Sequence, residues 1–204
     1  MKISASVQAA NQLNLLEDIN NNNDKFHQLH VDITDGHFAD NISMSYKIIQ
    51  QLKQATDYYI DVHLMIEDNV KYADIAFENG ADFVTVHSES ISVENFYKLS
   101  EKHKFMGIAS LPSTSNLNLK EYLPHAAGVL LLGVNPGFSN QSKVISLLDK
   151  AKEFITIFPD YEGILILDGG IKDADLTDYE DLGVCLLYTS PSPRDVEESR
   201  MPWC

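Results

Sequence analysis

FHQLHVDITDGHF, residues 26–38, runs as an apolar alternating strand and then sets two His and two Asp within eight residues: His30, Asp32, Asp35 and His37. Alternate residues of a strand point to the same side. His30 and Asp32 therefore project together, while Leu29, Val31 and Ile33 face the other way. A His and a carboxylate side by side at a strand end can share a divalent metal or divide proton-transfer work. The plainer alternative is a strand running into a polar turn, with Asp35-Gly36 as the turn signal and the His residues merely hydrogen-bonded. The rest of the chain decides between them.

Apolar, β-rich runs recur outward from this segment: residues 2–7, 26–33, 58–64, 83–87, 105–110, 128–134 and 163–167. Between them lie stretches of helical period, such as Val70, Ala73, Ala76 and Phe77, or Leu147, Leu148, Ala151, Phe154 and Ile155. Asp68 and Ser92 read as helix N-caps, and Glu78-Asn79-Gly80 as a helix C-terminus. Strands alternating with helices imply right-handed βαβ units and a parallel sheet. The rival to a barrel is an open doubly wound sheet, which gathers its polar residues at one switch point. Here they follow many strands: Ser6 the first, His30 and Asp32 the second, His63 the third, Asn135-Pro136-Gly137 the sixth, Asp168-Gly169-Gly170 the seventh. That distribution predicts an α/β chain folded as a (β/α)8 TIM barrel, incomplete at about seven of its eight strands.

The 204 residues, 44% hydrophobic and 22% charged, describe an ordinary globular composition with one barrel domain. No apolar run approaches a membrane span, and MKISASV reads as a strand rather than a signal peptide. A net charge of −15 argues against nucleic acid and anionic membrane as partners. A soluble, cytoplasmic protein is expected. Residues 185–204, CLLYTSPSPRDVEESRMPWC, hold both Cys, the only Trp and three of the seven Pro, with no periodicity. CLLYTSPSPRD resembles a translated sequencing adaptor, so the domain is read as residues 1–184 and the remainder as a non-native, unstructured tail.

His63, in DVHLM, and Asp168, after the buried run ILIL, are each unremarkable alone: a core histidine and an Asp in a turn. Combined with His30 and Asp32 at equivalent strand ends, they would converge on a barrel axis. Two imidazoles and two carboxylates suit one divalent cation, Zn, Fe, Mn or Co, with positions left for substrate oxygens. In NPGFSNQ, Pro136-Gly137 turns backbone N–H groups outward before a helix expected near Asn140, and Gly169-Gly170 offers a second anion nest. Two such turns after adjacent late strands match the usual phosphate position of these barrels.

LHVDITDGHF, DVHLM, GADFVTVHSE, VNPGFSNQ and LDGGI resemble, in order and spacing, the motifs of ribulose-phosphate 3-epimerase and its relative allulose-6-phosphate 3-epimerase, from Ile3 to about Val184. The resemblance implies a ribulose-phosphate-binding barrel with one divalent metal on His30, Asp32, His63 and Asp168. It implies that Asp32 and Asp168 are also the acid–base pair inverting C3 of a phosphorylated ketose. It places Ser6, Met65, Gly137, Phe138, Gly169 and Gly170 against substrate. Thr34 and Leu132 stand where the family usually carries pocket Met residues, Leu111 replaces an Asn, and Ser139-Asn140 replace a glycine pair.

Epimerisation beside a ketone needs one carboxylate as base and another as acid, with a cation to stabilise the enediolate and no redox or organic cofactor. Ribulose 5-phosphate to xylulose 5-phosphate is the expected reaction, in the pentose phosphate pathway. Allulose 6-phosphate epimerisation and an inactive truncated fragment are the alternatives. A metal-free lyase or decarboxylase would leave His30 and His63 without a shared role. Assembly into a homo-oligomer stays open.

Overall fold

Parallel strands close into a barrel in the computed structural model, each hydrogen-bonded to the next in chain order and the last to the first. They are β1 Lys2–Ser6, β2 Gln28–Thr34, β3 Ile60–Met65, β4 Phe83–His87, β5 Met106–Ser110, β6 Gly128–Leu132, β7 Ile164–Asp168 and β8 Leu186–Thr189. The structure describes residues 2–138, 141–172 and 175–189, the last four by backbone alone. Helices cross between most strands: α1 Leu15–Asn21, α2 Lys47–Ala55, α3 Asn69–Glu78, α4 Val93–Lys102, α5 Leu147–Ile157 and α6 Leu176–Asp181. Two short 3-10 turns, Asn116–Leu119 and Leu123–His125, serve instead between β5 and β6. Among the described residues no helix is long and apolar enough to cross a membrane.

Alternation along each strand sorts the side chains. Val31, Val62, Val84, Ile108, Val129 and Leu165 face outward and are buried with the apolar stripes of the helices in one continuous core. Each large aliphatic group so buried contributes about 1.5–3 kcal/mol. Inward positions belong to the barrel interior, where Phe83, Ala109, Leu130, Leu132 and Ile166 form a separate apolar cluster. A methyl group on Gly107 would stand 2.7 Å from the Phe83 ring and from Thr85 Oγ1, and one on Gly128 3.0 Å from the ring. Two strands give up a side chain so that one ring can fill the space.

Ser92 caps α4, its hydroxyl accepting from Asn95 N–H at 3.3 Å, and Gly80, at φ 100°, ends α3. Asp68 stands at the start of α3 but makes no side-chain cap. The helix expected near Asn140 begins instead at Leu147, capped by Ser146 accepting from Asp149 N–H. Among the described residues no helix stands between Pro136-Gly137 and Leu147, and Gln141 Nε2 donates back to the carbonyls of Asn135 and Phe138.

The expectation of seven strands and a barrel ending at Val184 is corrected by β8. Leu186, Leu187, Tyr188 and Thr189 pair in parallel register with Lys2–Ala5 of β1, and the first three of them with Ile166–Asp168 of β7. Cys185 is already drawn in, its carbonyl accepting from Lys2 N–H and its N–H donating to Leu165 O. Four residues carry too little period to read as a strand, but β1 and β7 offer them parallel partners on both sides. The remainder of the segment read as foreign, residues 190–204, lies outside the described residues.

Candidate metal centre

Register on neighbouring strands assembles the site. Asp32 of β2 stands opposite His63 of β3, and Asp168 ends β7, opposite Leu132. His30, Asp32, His63 and Asp168 each present one ligating atom, all within 4.8 Å of one another. His30 Nε2 lies 3.0 Å from Asp32 Oδ1. His63 Nδ1 lies 3.4 Å from the same oxygen and 3.8 Å from Asp168 Oδ2. His30, Asp32 and His63 are buried, and Asp168 is partly so.

The donors fit a divalent transition ion. Ligands about 2.1 Å from a metal stand roughly 3.0–3.4 Å from each other in tetrahedral or octahedral geometry, and two imidazole nitrogens with two carboxylate oxygens suit Zn²⁺, Fe²⁺, Mn²⁺ or Co²⁺. His63 Nδ1 is buried, points at both carboxylates and has no hydrogen-bond partner among the described residues. A nitrogen so placed is free to ligate.

Charge is concentrated here. Burial and then the neighbouring Asp32 charge push the Asp168 carboxyl up to about 7. Burial also works to raise Asp32, but His30 beside it more than offsets this and holds Asp32 well below the usual carboxylate range. Burial would lower His30, yet Asp32 and Asp61 together raise it well above 6.5. The two acids are thus pushed in opposite directions, as a pair dividing acid and base roles requires.

Supporting groups hold these side chains. Asp61 Oδ2 lies 2.8 Å from His30 Nδ1, and Ser6 Oγ donates to Asp32 Oδ2 at 3.0 Å. Beyond His63 stand His87 and Glu89: His63 Nε2 meets His87 Nε2 at 2.8 Å, and His87 Nδ1 meets Glu89 Oε2 at 3.2 Å. Burial pushes His87 down to about 4. Phe38 lies over the His87 ring at 4.7 Å between centroids.

Asp35 and His37 stay out of the cluster. Asp35 accepts from the backbone N–H groups of His37, Phe38 and Glu67, tying the β2 turn to the chain after β3. Met65 is buried at the end of β3, opposite Thr34. Gly137 lies on the rim, its carbonyl accepting from Asn41 Nδ2 and Gln8 Nε2, and Phe138 is 55% exposed beside it. Gly169 and Gly170 have φ of 94° and 66°, a conformation that favours glycine. A Cβ on Gly170 would also stand 2.8 Å from Lys143 N, so the loops after β6 and β7 touch backbone to backbone. Ser139 and Asn140 lie outside the described residues. Sequence reasoning passed over Asp61, His87 and Glu89. Period two marks the first two, since Asp61 shares a face with His63, and His87 faces inward with Thr85; nothing local marks Glu89.

The model of the "Ribulose-phosphate 3 epimerase family" matches residues 2–190. Ribulose-phosphate 3-epimerase of Aquifex aeolicus is 32% identical over 163 residues, covering 74% of this chain and 69% of its own. The Helicobacter pylori enzyme of the same name is 28% identical over 191 residues, covering 90% and 86%. Among solved structures, 3-keto-L-gulonate-6-phosphate decarboxylase from Vibrio cholerae superposes with a TM-score of 0.70 at 12% identity, over 93% of this chain and 87% of its own. That last likeness is one of fold.

Proposed function

The chain belongs to the ribulose-phosphate 3 epimerase family of carbohydrate isomerases, and we propose that it inverts C3 of D-ribulose 5-phosphate to give D-xylulose 5-phosphate. The observation that carries this reading is the convergence of two imidazoles and two carboxylates within 4.8 Å at one end of the barrel. His30, Asp32, His63 and Asp168 would hold one divalent cation, of the Zn, Fe, Mn or Co type. Bound there, it supplies Lewis-acid stabilisation of the negative charge that develops on the ketose oxygens, worth several kcal/mol.

Proton transfer falls to the chain itself. Asp32, kept ionised by His30, is the base that takes the C3 proton. Asp168, pushed up by burial and by Asp32, is the acid that returns one to the opposite face. Ser6 fixes Asp32 through its Oδ2, leaving Oδ1 toward the two histidines. Met65 walls the pocket, and Gly137, Phe138 and the Gly169-Gly170 turn contribute to substrate and phosphate contacts at the rim. Local backbone dipoles must hold the phosphate, because the overall charge of −15 repels it.

Thr34 sits inside the barrel with its hydroxyl buried and without a hydrogen-bond partner among the described residues, at a place the family usually gives to Met. A polar group there favours, as the second reading, a longer ketose such as allulose 6-phosphate. Turnover of both sugar phosphates by chain stripped with chelator and then resupplied with Zn²⁺, Fe²⁺, Mn²⁺ or Co²⁺ tests both. Faster turnover of ribulose 5-phosphate, dependent on added cation, is expected. Turnover unaffected by chelation would overturn the metal assignment, and preference for allulose 6-phosphate the pentose assignment.

A further inference from the structure

The hydrogen bonds running from the metal centre do not stop at its ligands. His63 Nε2 and His87 Nε2 face each other at 2.8 Å. Two neutral imidazoles so placed share one hydrogen: one ring donates and the other accepts. Which of them donates fixes where each ring carries its other lone pair.

The far end of the chain decides. His87 Nδ1 meets Glu89 Oε2 at 3.2 Å, and an ionised carboxylate only accepts. His87 must then carry its hydrogen on Nδ1, accept at Nε2, and receive the Nε2 hydrogen of His63. His63 is left with a bare Nδ1, the atom that faces Asp32 and Asp168. We propose that Glu89 is a positioning residue that, through His87, keeps the Nδ1 lone pair of His63 aimed at the metal centre. This deepens the metal reading given above and rests on it.

Glu89 is itself firmly held as an acceptor. Its Oε1 accepts from Leu111 N–H at 2.8 Å and from the Thr114 hydroxyl. The segment carrying those donors is pinned from below by Lys150, whose Nζ donates to the carbonyls of Leu111, Pro112 and Thr114 at 2.7–3.2 Å. Although burial works to raise it, the contacts with His87, Thr114 and Leu111 bring Glu89 down to about 2, so the carboxylate persists throughout the neutral range.

Glu89→Gln, nearly isosteric, separates positioning from packing. Leu111 N–H can only donate, so the Gln carbonyl oxygen must face it and the NH₂ must face His87. His87 would then accept at Nδ1 and donate from Nε2 to His63, which would hold its hydrogen on Nδ1, against the metal site. Glu89→Ala removes the packing but imposes no tautomer.

Zn²⁺ affinity of the full chain, measured by chelator competition, is expected to fall about 10- to 100-fold in Glu89→Gln, the usual range for groups that orient a ligand. Glu89→Ala should lose less affinity but melt lower. In ¹⁵N–¹H spectra of the metal-free chain, His63 should carry hydrogen on Nε2 in the parent and on Nδ1 in Glu89→Gln. Unchanged tautomers, or Zn²⁺ binding within threefold of the parent, would overturn the relay. So would affinity and melting that fall together and further in Ala than in Gln. A parent chain that binds no Zn²⁺ would refute the metal reading itself, and the tautomers would still judge the relay.

Discussion

Inside the barrel, β1–β4 and β5–β7 line opposite halves with opposite chemistry. The first half points Ser4, His30, Asp32, Asp61, His63 and His87 inward, all of them buried. The second points Ala109, Leu130, Leu132 and Ile166 inward, and Phe83 of β4 leans across to cover Gly107 and Gly128. Asp168, at the end of β7, is the one acid set on the apolar side, and that placement is what pushes it up to about 7. Burying ionisable groups is costly unless they are paired, so the polar half contributes little to stability. The apolar half and the outer layer of helix-facing aliphatics hold the fold, which leaves the polar half available for chemistry.

If the halves divide labour this way, substitutions should separate activity from stability. The largest effect is expected from Asp32→Asn and Asp168→Asn. On the proposed mechanism each removes a proton-transfer group worth about 10²–10⁴-fold in rate and one member of the four-residue cluster as well. Asp168→Asn also relieves repulsion with Asp32, so in chelator it should melt no lower than the parent. Steady-state turnover and thermal melting check the pair together. A large fall in melting would mean that the polar half is structural after all.

Next comes Leu130→Ala, at a fully buried apolar position. It should cost about 2–5 kcal/mol in denaturant unfolding while leaving Zn²⁺ stoichiometry unchanged in the molecules that remain folded. Asp61→Asn works on the other half. Without the carboxylate at 2.8 Å from its Nδ1, His30 loses the group that orients it. Chelator competition should show metal binding about 10- to 100-fold weaker, with little change in melting. Smallest is Leu132→Met, a volume-conserving change next to Asp168 in register. It should cost less than about 1.5 kcal/mol and register chiefly as a changed ratio of pentose to hexose phosphate turnover.

The two halves are not equally legible in the sequence. In the apolar half the runs VLLL and ILIL announce strands, but nothing says which side chains face inward until the barrel closes. In the polar half, period two marks His30 and Asp32, and with His63 ending its own run, and Asp168 ending a run on the opposite side, all four cluster residues stand out in the sequence. Asp61 is equally regular in sequence, two before His63, yet its role depends on the β2–β3 register that sets it opposite His30. Glu89 follows its strand in a turn, and its importance comes from Leu111 and Thr114, more than twenty residues away. The eighth strand is the largest omission. Leu186–Thr189 becomes a strand because two edges accept it, a tertiary cause that four residues cannot show.

Isotope exchange at C3 bears most directly on the assignment of Asp32 and Asp168 to the two faces of the substrate. The cation-loaded chain should be given ribulose 5-phosphate in D₂O and the xylulose 5-phosphate examined by NMR and mass spectrometry. One deuterium at C3 of the product is expected, because the proton removed on one face is not the proton delivered on the other. Product formed at full rate with protium retained at C3 would contradict a two-carboxylate transfer through this site.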